Sequence, residues 1–146
     1  MSEISLRSAA PDDLGAIRNC LAGAYADAKR DIDDLPDVTS GILDDINERR
    51  VLIAEHGKHL LGVIVFGEMS DAMMIFNLGV SPEAQGKGIA RQLLEAAEVS
   101  AKSGGLHILR LRTHRLMSGT CAMYRYLGWQ EIETRGNAVL MEKRVT

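Results

Sequence analysis

The sequence predicts an α/β (α+β) fold, a mixed, mostly antiparallel twisted sheet flanked by helices, in a single domain over residues 1–146. Three observations lead there. Short apolar runs bounded by turn residues recur along the chain and read as strands. Segments with apolar residues at helical spacing interleave with them. No linker, repeat or low-complexity tract interrupts the resulting order, β-α-α-β-β-β-α-β-α-β-β. The length of 146 residues suits one hydrophobic core.

Ile4 and Leu6 alternate with polar residues and predict a short edge strand. Asp12 or Asp13 follows as a helix cap, because a short carboxylate accepts orphan backbone N–H groups. Leu14, Ile17, Cys20, Leu21 and Ala24 then share one helical face. Residues 31–38 contain Pro36 and four Asp, and read as a loop. Ile42, Leu43 and Ile46 predict a second helix that fades before Val51. Residues 51–54 form a strand, His56-Gly57-Lys58 a turn, and 60–66 the next strand.

Residues 73–80 are a further apolar run, ended by Ser81-Pro82. A long helix begins near Gly86, with Ile89, Leu93, Leu94 and Ala97 on one side, and Ser103-Gly104-Gly105 stops it. Residues 107–113 make a strand that buries Ile108, Leu109 and Leu111. A short helix runs over 121–126 and ends at Gly128, where left-handed backbone suits glycine. Residues 129–133 and 138–141 are two closing strands.

The composition excludes several classes. No charge-free apolar run approaches the roughly 18 residues that span a bilayer. The opening Met1-Ser2-Glu3-Ile4-Ser5-Leu6-Arg7 lacks the basic-then-apolar pattern of a leader. Two cysteines, Cys20 and Cys121, build no disulfide framework, so a reducing cytoplasm is expected. A net charge of −3 argues against nucleic acid as a partner. His56, His59, His107 and His114 do not form a metal set, and no metal is expected. The charge is uneven: residues 27–48 hold eight acidic and two basic side chains, whereas residues 102–146 hold eight Lys or Arg against three Glu. Such runs are ordinarily solvated surface.

The informative stretch is Leu78-Gly79-Val80-Ser81-Pro82-Glu83-Ala84-Gln85-Gly86-Lys87-Gly88-Ile89-Ala90-Arg91. It reads as strand, turn, glycine loop and helix start. Gly86 and Gly88 remove Cβ atoms where a ligand can approach the backbone. The first N–H groups of a helix have no internal partners, and with the helix dipole they make an anion site suited to a pyrophosphate. Lys87 and Arg91 add positive charge. An ordinary loop before an amphipathic helix is the alternative. Two other phosphate motifs are excluded. A P-loop needs a Gly separated by four residues from Gly-Lys and then Ser or Thr, whereas Ser81 and Gly88 stand at those places. The dinucleotide fingerprint closes on Gly or Ala, where Arg91 stands.

The run Gln85-x-x-Gly88-x-Ala90 after Val80-x-Pro82 resembles the coenzyme A signature of the GNAT N-acetyltransferase family. Met123-Tyr124-Arg125-Tyr126-Leu127-Gly128-Trp129 is similar to a second segment of that family, at the usual separation and with one strand between. The opening Leu6-Arg7-x-Ala9-x-x-Asp12-Asp13-Leu14 extends the resemblance over essentially the whole chain.

The resemblance implies the acyl-coenzyme A acyltransferase fold, in which the fourth and fifth strands splay apart and acetyl-coenzyme A lies in the opening. Leu78 and Val80 would offer backbone groups to the pantetheine amides, as an added strand would. Gln85, Gly86, Lys87, Gly88, Ile89, Ala90 and Arg91 would hold the pyrophosphate. Tyr124 would protonate the leaving thiolate. A phenol, with an ordinary pKa of about 10, keeps its proton at neutral pH. A backbone N–H near residues 78–80 would polarise the carbonyl.

The expected reaction moves an acetyl group to a primary amine of a small molecule or peptide by direct attack in a ternary complex. Homodimers are common among relatives. Two departures stand out. Asn77 occupies the place where many relatives carry Glu, so it would orient a water, with Glu68 or Asp71 along a relay or else on the hairpin surface. Ser118 and Thr120 stand where the family often has Asn. The missing Glu supports a second reading, a non-catalytic acyl-coenzyme A binding or sensing domain. Cys121, one helical turn before Tyr124, reads as a small buried residue rather than a nucleophile. Asp31, Asp33, Asp34 and Asp37 lie where the family walls its acceptor site, and would there concentrate a cationic amine.

Overall fold

The computed structural model describes residues 3–145. Among the described residues seven strands form one sheet in the order β1-β2-β3-β4-β5-β7-β6. They are β1 (Ser5–Ser8), β2 (Arg50–His56), β3 (His59–Met69), β4 (Ala72–Val80), β5 (Ile108–His114), β6 (Gln130–Arg135) and β7 (Ala138–Arg144). The helices are α1 (Leu14–Asp31), α2 (Ile42–Glu48), α3 (Ile89–Ser103) and α4 (Ser118–Tyr126), in the predicted order. Met1 and Ser2, on which part of the leader reading rests, lie outside the described residues.

Hairpins make β2, β3 and β4 antiparallel, and likewise β6 and β7. The β4–α3–β5 connection crosses over through a helix, so β4 and β5 run parallel, as a crossover requires. The sheet is covered on both faces. Ile17, Leu21 and Ile42 of α1 and α2 pack on Val63 and Val65 from one side. Leu93, Leu94 and Tyr124 of α3 and α4 pack with Ile64 and Phe66 from the other. Alternate residues of β3 thus enter different layers, which is why the strand reads as a continuous apolar run. Each such large side chain, fully buried, contributes about 1.5–3 kcal/mol.

Three local expectations need correction. The long helix begins at Ile89, not near Gly86, because Gly86 and Gly88 both adopt φ of +79°, outside the helical region. Asp13 does not cap α1 with its side chain. It turns back to accept the Ala10 N–H at 2.8 Å and to pair with Arg7 at 2.8 Å. Ile108 is only partly buried, because alternation points Leu109 and Leu111 into the α3 layer and Ile108 to the opposite face.

The feature that positions the site lies in β4. Its pairing with β5 covers only Met73↔Leu109, Met74↔Arg110 and Ile75↔Leu111. Directly after, Val65 pairs with Asn77 while Phe66 pairs with Ile75, so Phe76 is an extra residue on β4. This bulge breaks the alternation. Phe76 and Asn77 consequently both face the α1–α2 side, and residues 76–80 have no β5 partner.

Candidate active site

The divergence of β4 and β5 leaves two cavities. The larger, of about 470 Å³, follows Leu78 and Val80 to the glycine loop, the start of α3 and α4. The smaller, of about 410 Å³, opens on the α1–α2 side beside Phe76 and Asn77. Tyr25 and Met117 line both and form the wall they share. Leu78 borders the first and Asn77 the second, so adjacent residues of one strand border different cavities.

The edge of β4 offers free backbone. Ser81 donates its N–H to Leu61 O at 2.8 Å, and the alternation of antiparallel pairs then turns the polar groups of Leu78 and Val80 away from β3. Their carbonyls are met by side chains. Tyr25 Oη donates to Leu78 O at 2.8 Å, and Gln85 Nε2 donates to Val80 O at 3.2 Å. Gly79 between them is an approach point for α1. A Cβ there would sit 2.8 Å from Leu21 Cδ2 and 3.2 Å from Ala24 Cβ.

The glycine loop has the form of an anion cradle. Apart from the adjoining residues, no atom lies within 4 Å of where a Cβ on Gly86 or Gly88 would stand. Gln92 donates the first intrahelical bond, to Gly88 O at 3.1 Å. The N–H groups of Ile89, Ala90 and Arg91 therefore precede the helical ladder and carry its positive dipole end. Gln85, Gly86, Gly88, Ile89, Ala90 and Arg91 line the larger cavity, while Lys87 belongs to the loop without lining it. The donor set, the absent Cβ atoms and the positive pole fit a pyrophosphate.

Tyr124 closes the far end. It is 5% exposed and meets Trp129 edge-on, with ring centroids 5.6 Å apart. Burial, with the neighbouring Tyr25 and Cys121, pushes its phenol well above the ordinary range. Tyr25 is likewise buried, and its phenol is pushed up to about 12. Both phenols keep their protons at neutral pH. Tyr25 had no place in the sequence reading. Its signal was the spacing from Leu21, four residues earlier on the apolar face of α1. Cys121 is buried, with its thiol directed to His114 O at 3.7 Å and its pKa raised by burial, as suits a small core residue rather than a nucleophile. Thr120, at the start of α4, lines the larger cavity and Ser118 does not.

In the smaller cavity, Asn77 Nδ2 donates to Val38 O at 2.9 Å, which fixes the amide orientation. Its Oδ1 is then buried without any hydrogen-bond partner. Asp71 does not reach it. Asp71 stands in the β3–β4 turn, six residues from Asn77 along an extended strand, roughly 20 Å away. It pairs instead with Arg110 at 3.1 Å. Glu68 stands nearer, on β3 opposite Met73, four residues along β4 from Asn77.

The acidic loop is also arranged differently from expectation. Asp34 Oδ1 accepts from His114 Nε2 at 2.6 Å, and its Oδ2 accepts from Asn137 Nδ2 at 2.7 Å. Leu116 N–H bonds His114 Nδ1 at 3.1 Å, so the imidazole carries its proton on Nε2. The Asn137 amide and then the His114 imidazole hold the Asp34 carboxyl below the usual range. Asp37 bonds the Thr39 N–H and hydroxyl, and Asp31 bonds Arg30. Of the four carboxylates only Asp34 lines the cavity, and both its oxygens are engaged there. His114, 7% exposed, is thus a structural residue that clasps the loop to the β5 end.

The comparisons bear on this geometry. The model of the acetyltransferase (GNAT) family matches residues 17–129. No curated protein matches the sequence. Among solved structures, the PaiA N-acetyltransferase of Thermoplasma acidophilum, in complex with coenzyme A, superposes with a TM-score of 0.88 at 22% identity, covering 98% of this chain and 99% of that one. The ribosomal-protein-S18-alanine N-acetyltransferase of Escherichia coli gives 0.80 at 19% identity, over 99% and 95%. The IAA acetyltransferase of Bacillus cereus gives 0.74 at 18% identity, over 98% and 100%. These likenesses show the shared fold. Among the described residues no helix is long and apolar enough to cross a membrane, and no group of three or more His, Cys, Asp or Glu side chains is placed to hold a metal ion.

Proposed function

This chain belongs to the GNAT acetyltransferase family, and from that premise we propose that it moves the acetyl group of acetyl-coenzyme A directly to a primary amine bound in the smaller cavity. One observation carries the reading. The left-handed glycines Gly86 and Gly88 open a cradle at the start of α3, and the same cavity runs along the free β4 edge to Tyr124. An elongated molecule with a pyrophosphate at one end, amides in its middle and a thioester at the other fits that sequence of groups.

Each residue then has a role. The N–H groups of Ile89, Ala90 and Arg91, with Gly86 and Gly88 beneath and Lys87 and Arg91 adding charge, hold the pyrophosphate. Gln85 and the backbone of Leu78 and Val80 take the pantetheine. This requires the Gln85 side chain to yield Val80 O, or to share it, since a carbonyl oxygen accepts two bonds. Asn77, in the wall of the smaller cavity, holds the Val38 loop beside the incoming amine, whose nitrogen lone pair points toward the thioester. A backbone N–H of residues 78–80 steadies the carbonyl oxygen as charge builds on it.

The nitrogen bonds the carbonyl carbon, the carbon–sulfur bond breaks, and the electron pair leaves on sulfur. Tyr124 gives that sulfur a proton. The nitrogen sheds its own proton to solvent, because an amide cannot take it, and the phenol is refilled in turn. The amine must therefore arrive neutral. Two buried free thiols fit a cytoplasmic setting, and one domain, with a homodimer as its assembly, completes the reading.

The test is free-thiol release from acetyl-coenzyme A with a panel of amines. Amine-dependent release supports the reading. Cofactor binding without release would favour a binding or sensing domain, to which Asn77 in place of a carboxylate lends weight.

A further inference from the structure

We propose that the smaller cavity selects an acceptor carrying a carboxylate close to its reacting amine, a free amino acid rather than a polyamine or a peptide N-terminus, and that Arg112 selects it. This deepens the transfer reading above and rests on it. Arg112 follows Leu111, the last β5 residue paired with β4, and Asn77 lies two residues past Ile75, the last β4 residue paired with β5. Leu111 enters the α3 layer, so alternation sends Arg112 to the α1–α2 face, the face of Asn77. The two side chains are rooted on opposite lips of the opening, near the point where paired strands stand about 5 Å apart. Both line the smaller cavity.

The charges there are differently committed. Arg110 spends its guanidinium on Glu142 and Asp71, at 2.9 and 3.1 Å. Arg115 bonds Asn137 at 2.6 Å, and Arg135 bonds Glu133 at 3.1 Å. Arg112 has no carboxylate partner among the described residues, and it stands in the cavity wall. Asp34, the acid of that wall, already accepts from His114 and Asn137 on separate oxygens. A polycation entering here meets a single carboxylate, Asp34, which His114 and Asn137 hold in place. An amino acid finds an unpaired guanidinium for its carboxylate at Arg112, on the lip opposite Asn77 and so close to where its amine must react. A guanidinium fork matches a carboxylate's two oxygens, so the match is geometric as well as electrostatic. Phe76, Val38 and Met117 supply apolar wall for the carbon skeleton.

The experiment measures kcat/KM for free amino acids, their primary amides and a polyamine, with wild type, Arg112→Gln and Arg112→Lys. Wild type should favour each free acid over its amide by about tenfold to a hundredfold, the range of a hydrogen bond between charged groups, and mainly through KM. Arg112→Gln should bring that ratio to about one, and Arg112→Lys should restore part of it. Arg112 is exposed and without an ion pair, so its variants should fold. Equal use of acid and amide by wild type, a polyamine as best acceptor, or a ratio unchanged in Arg112→Gln each overturns the proposal while leaving transfer intact. If no amine is acetylated, NMR saturation transfer from the coenzyme A complex to the same amino acids decides. Carboxylate-dependent binding lost in Arg112→Gln supports the site although transfer fails, and its absence overturns the site.

Discussion

His114 Nε2 and Asp34 Oδ1 lie 2.6 Å apart, joining the loop after α1 to the end of β5 across the mouth of the smaller cavity. Asn137 Nδ2 adds a second bond to the same carboxylate, from the β6–β7 turn. The loop packs with one half of the splayed sheet through Asn77 Nδ2 and Val38 O, so Asp34 ties the two halves together. This clasp is a wall of the site rather than a reservoir of mobile negative charge.

Asp34→Asn should loosen that wall. Amide exchange over residues 32–41 should quicken and acceptor KM should rise several-fold, while the melting temperature changes little, because Asp34 is exposed. The Asp34 pKa is depressed in the folded protein. Its contribution is therefore present above the unfolded value of about 3.9 and is lost as pH falls through the lower folded value. In an NMR titration the loop resonances should hold from neutral pH to about 4 and shift below that. A shift centred near pH 6 would place control elsewhere.

Gly88→Asp should abolish binding of acetyl-coenzyme A and leave the fold intact. No atom crowds a Cβ there, and Asp tolerates the left-handed region better than most residues. Its carboxylate would face the pyrophosphate. Repulsion of about 4 kcal/mol near a protein surface weakens affinity by at least a hundredfold. Calorimetry giving an unchanged Kd would move the phosphates to another site.

Tyr124→Phe should lower kcat and kcat/KM together by about 10²- to 10⁴-fold with cofactor affinity retained, since the proton transfer occurs only in the transition state. Burial raises the Tyr124 pKa, so the proton donor persists to higher pH than an ordinary phenol allows. The wild-type kcat should accordingly rise with the neutral amine fraction and show no alkaline decline by pH 10. A loss under tenfold in Tyr124→Phe would reduce the hydroxyl to an orienting group.

Gly79→Ala should cost about 1–3 kcal/mol of stability, the usual penalty for overpacking. The added methyl would press on Leu21 Cδ2 and on Ala24 Cβ, and the latter cannot rotate away. Chemical denaturation reads the effect directly. An unchanged midpoint would mean that α1 shifts freely over β4.

The glycine loop was legible because its signals are local. Gly86, Gly88 and the helix after them sit within a few residues of one another, and their backbone demands are written in the glycines themselves. Only the helix start moved, from near Gly86 to Ile89, since left-handed residues stand outside a helix. The smaller cavity was not legible for a different reason. Asp34 and His114 meet across 80 positions, and no periodicity announces such a pair. Asn77 reads as an inward or outward residue only once the bulge at Phe76 is known. Asp71 looked close to Asn77 in sequence, yet an extended strand carries it to the other end of the sheet.

The most direct test of transfer in the β4–β5 cleft is a rapid-quench single turnover. Enzyme in excess over acetyl-coenzyme A is mixed with amine, and acetylated amine, free thiol and enzyme mass are followed together. Direct attack requires thiol and acetylated amine to appear one for one, only after amine is added, with the enzyme mass unchanged throughout. An acetylated enzyme that forms before the amine arrives, or thiol released without acetylated amine, would contradict it.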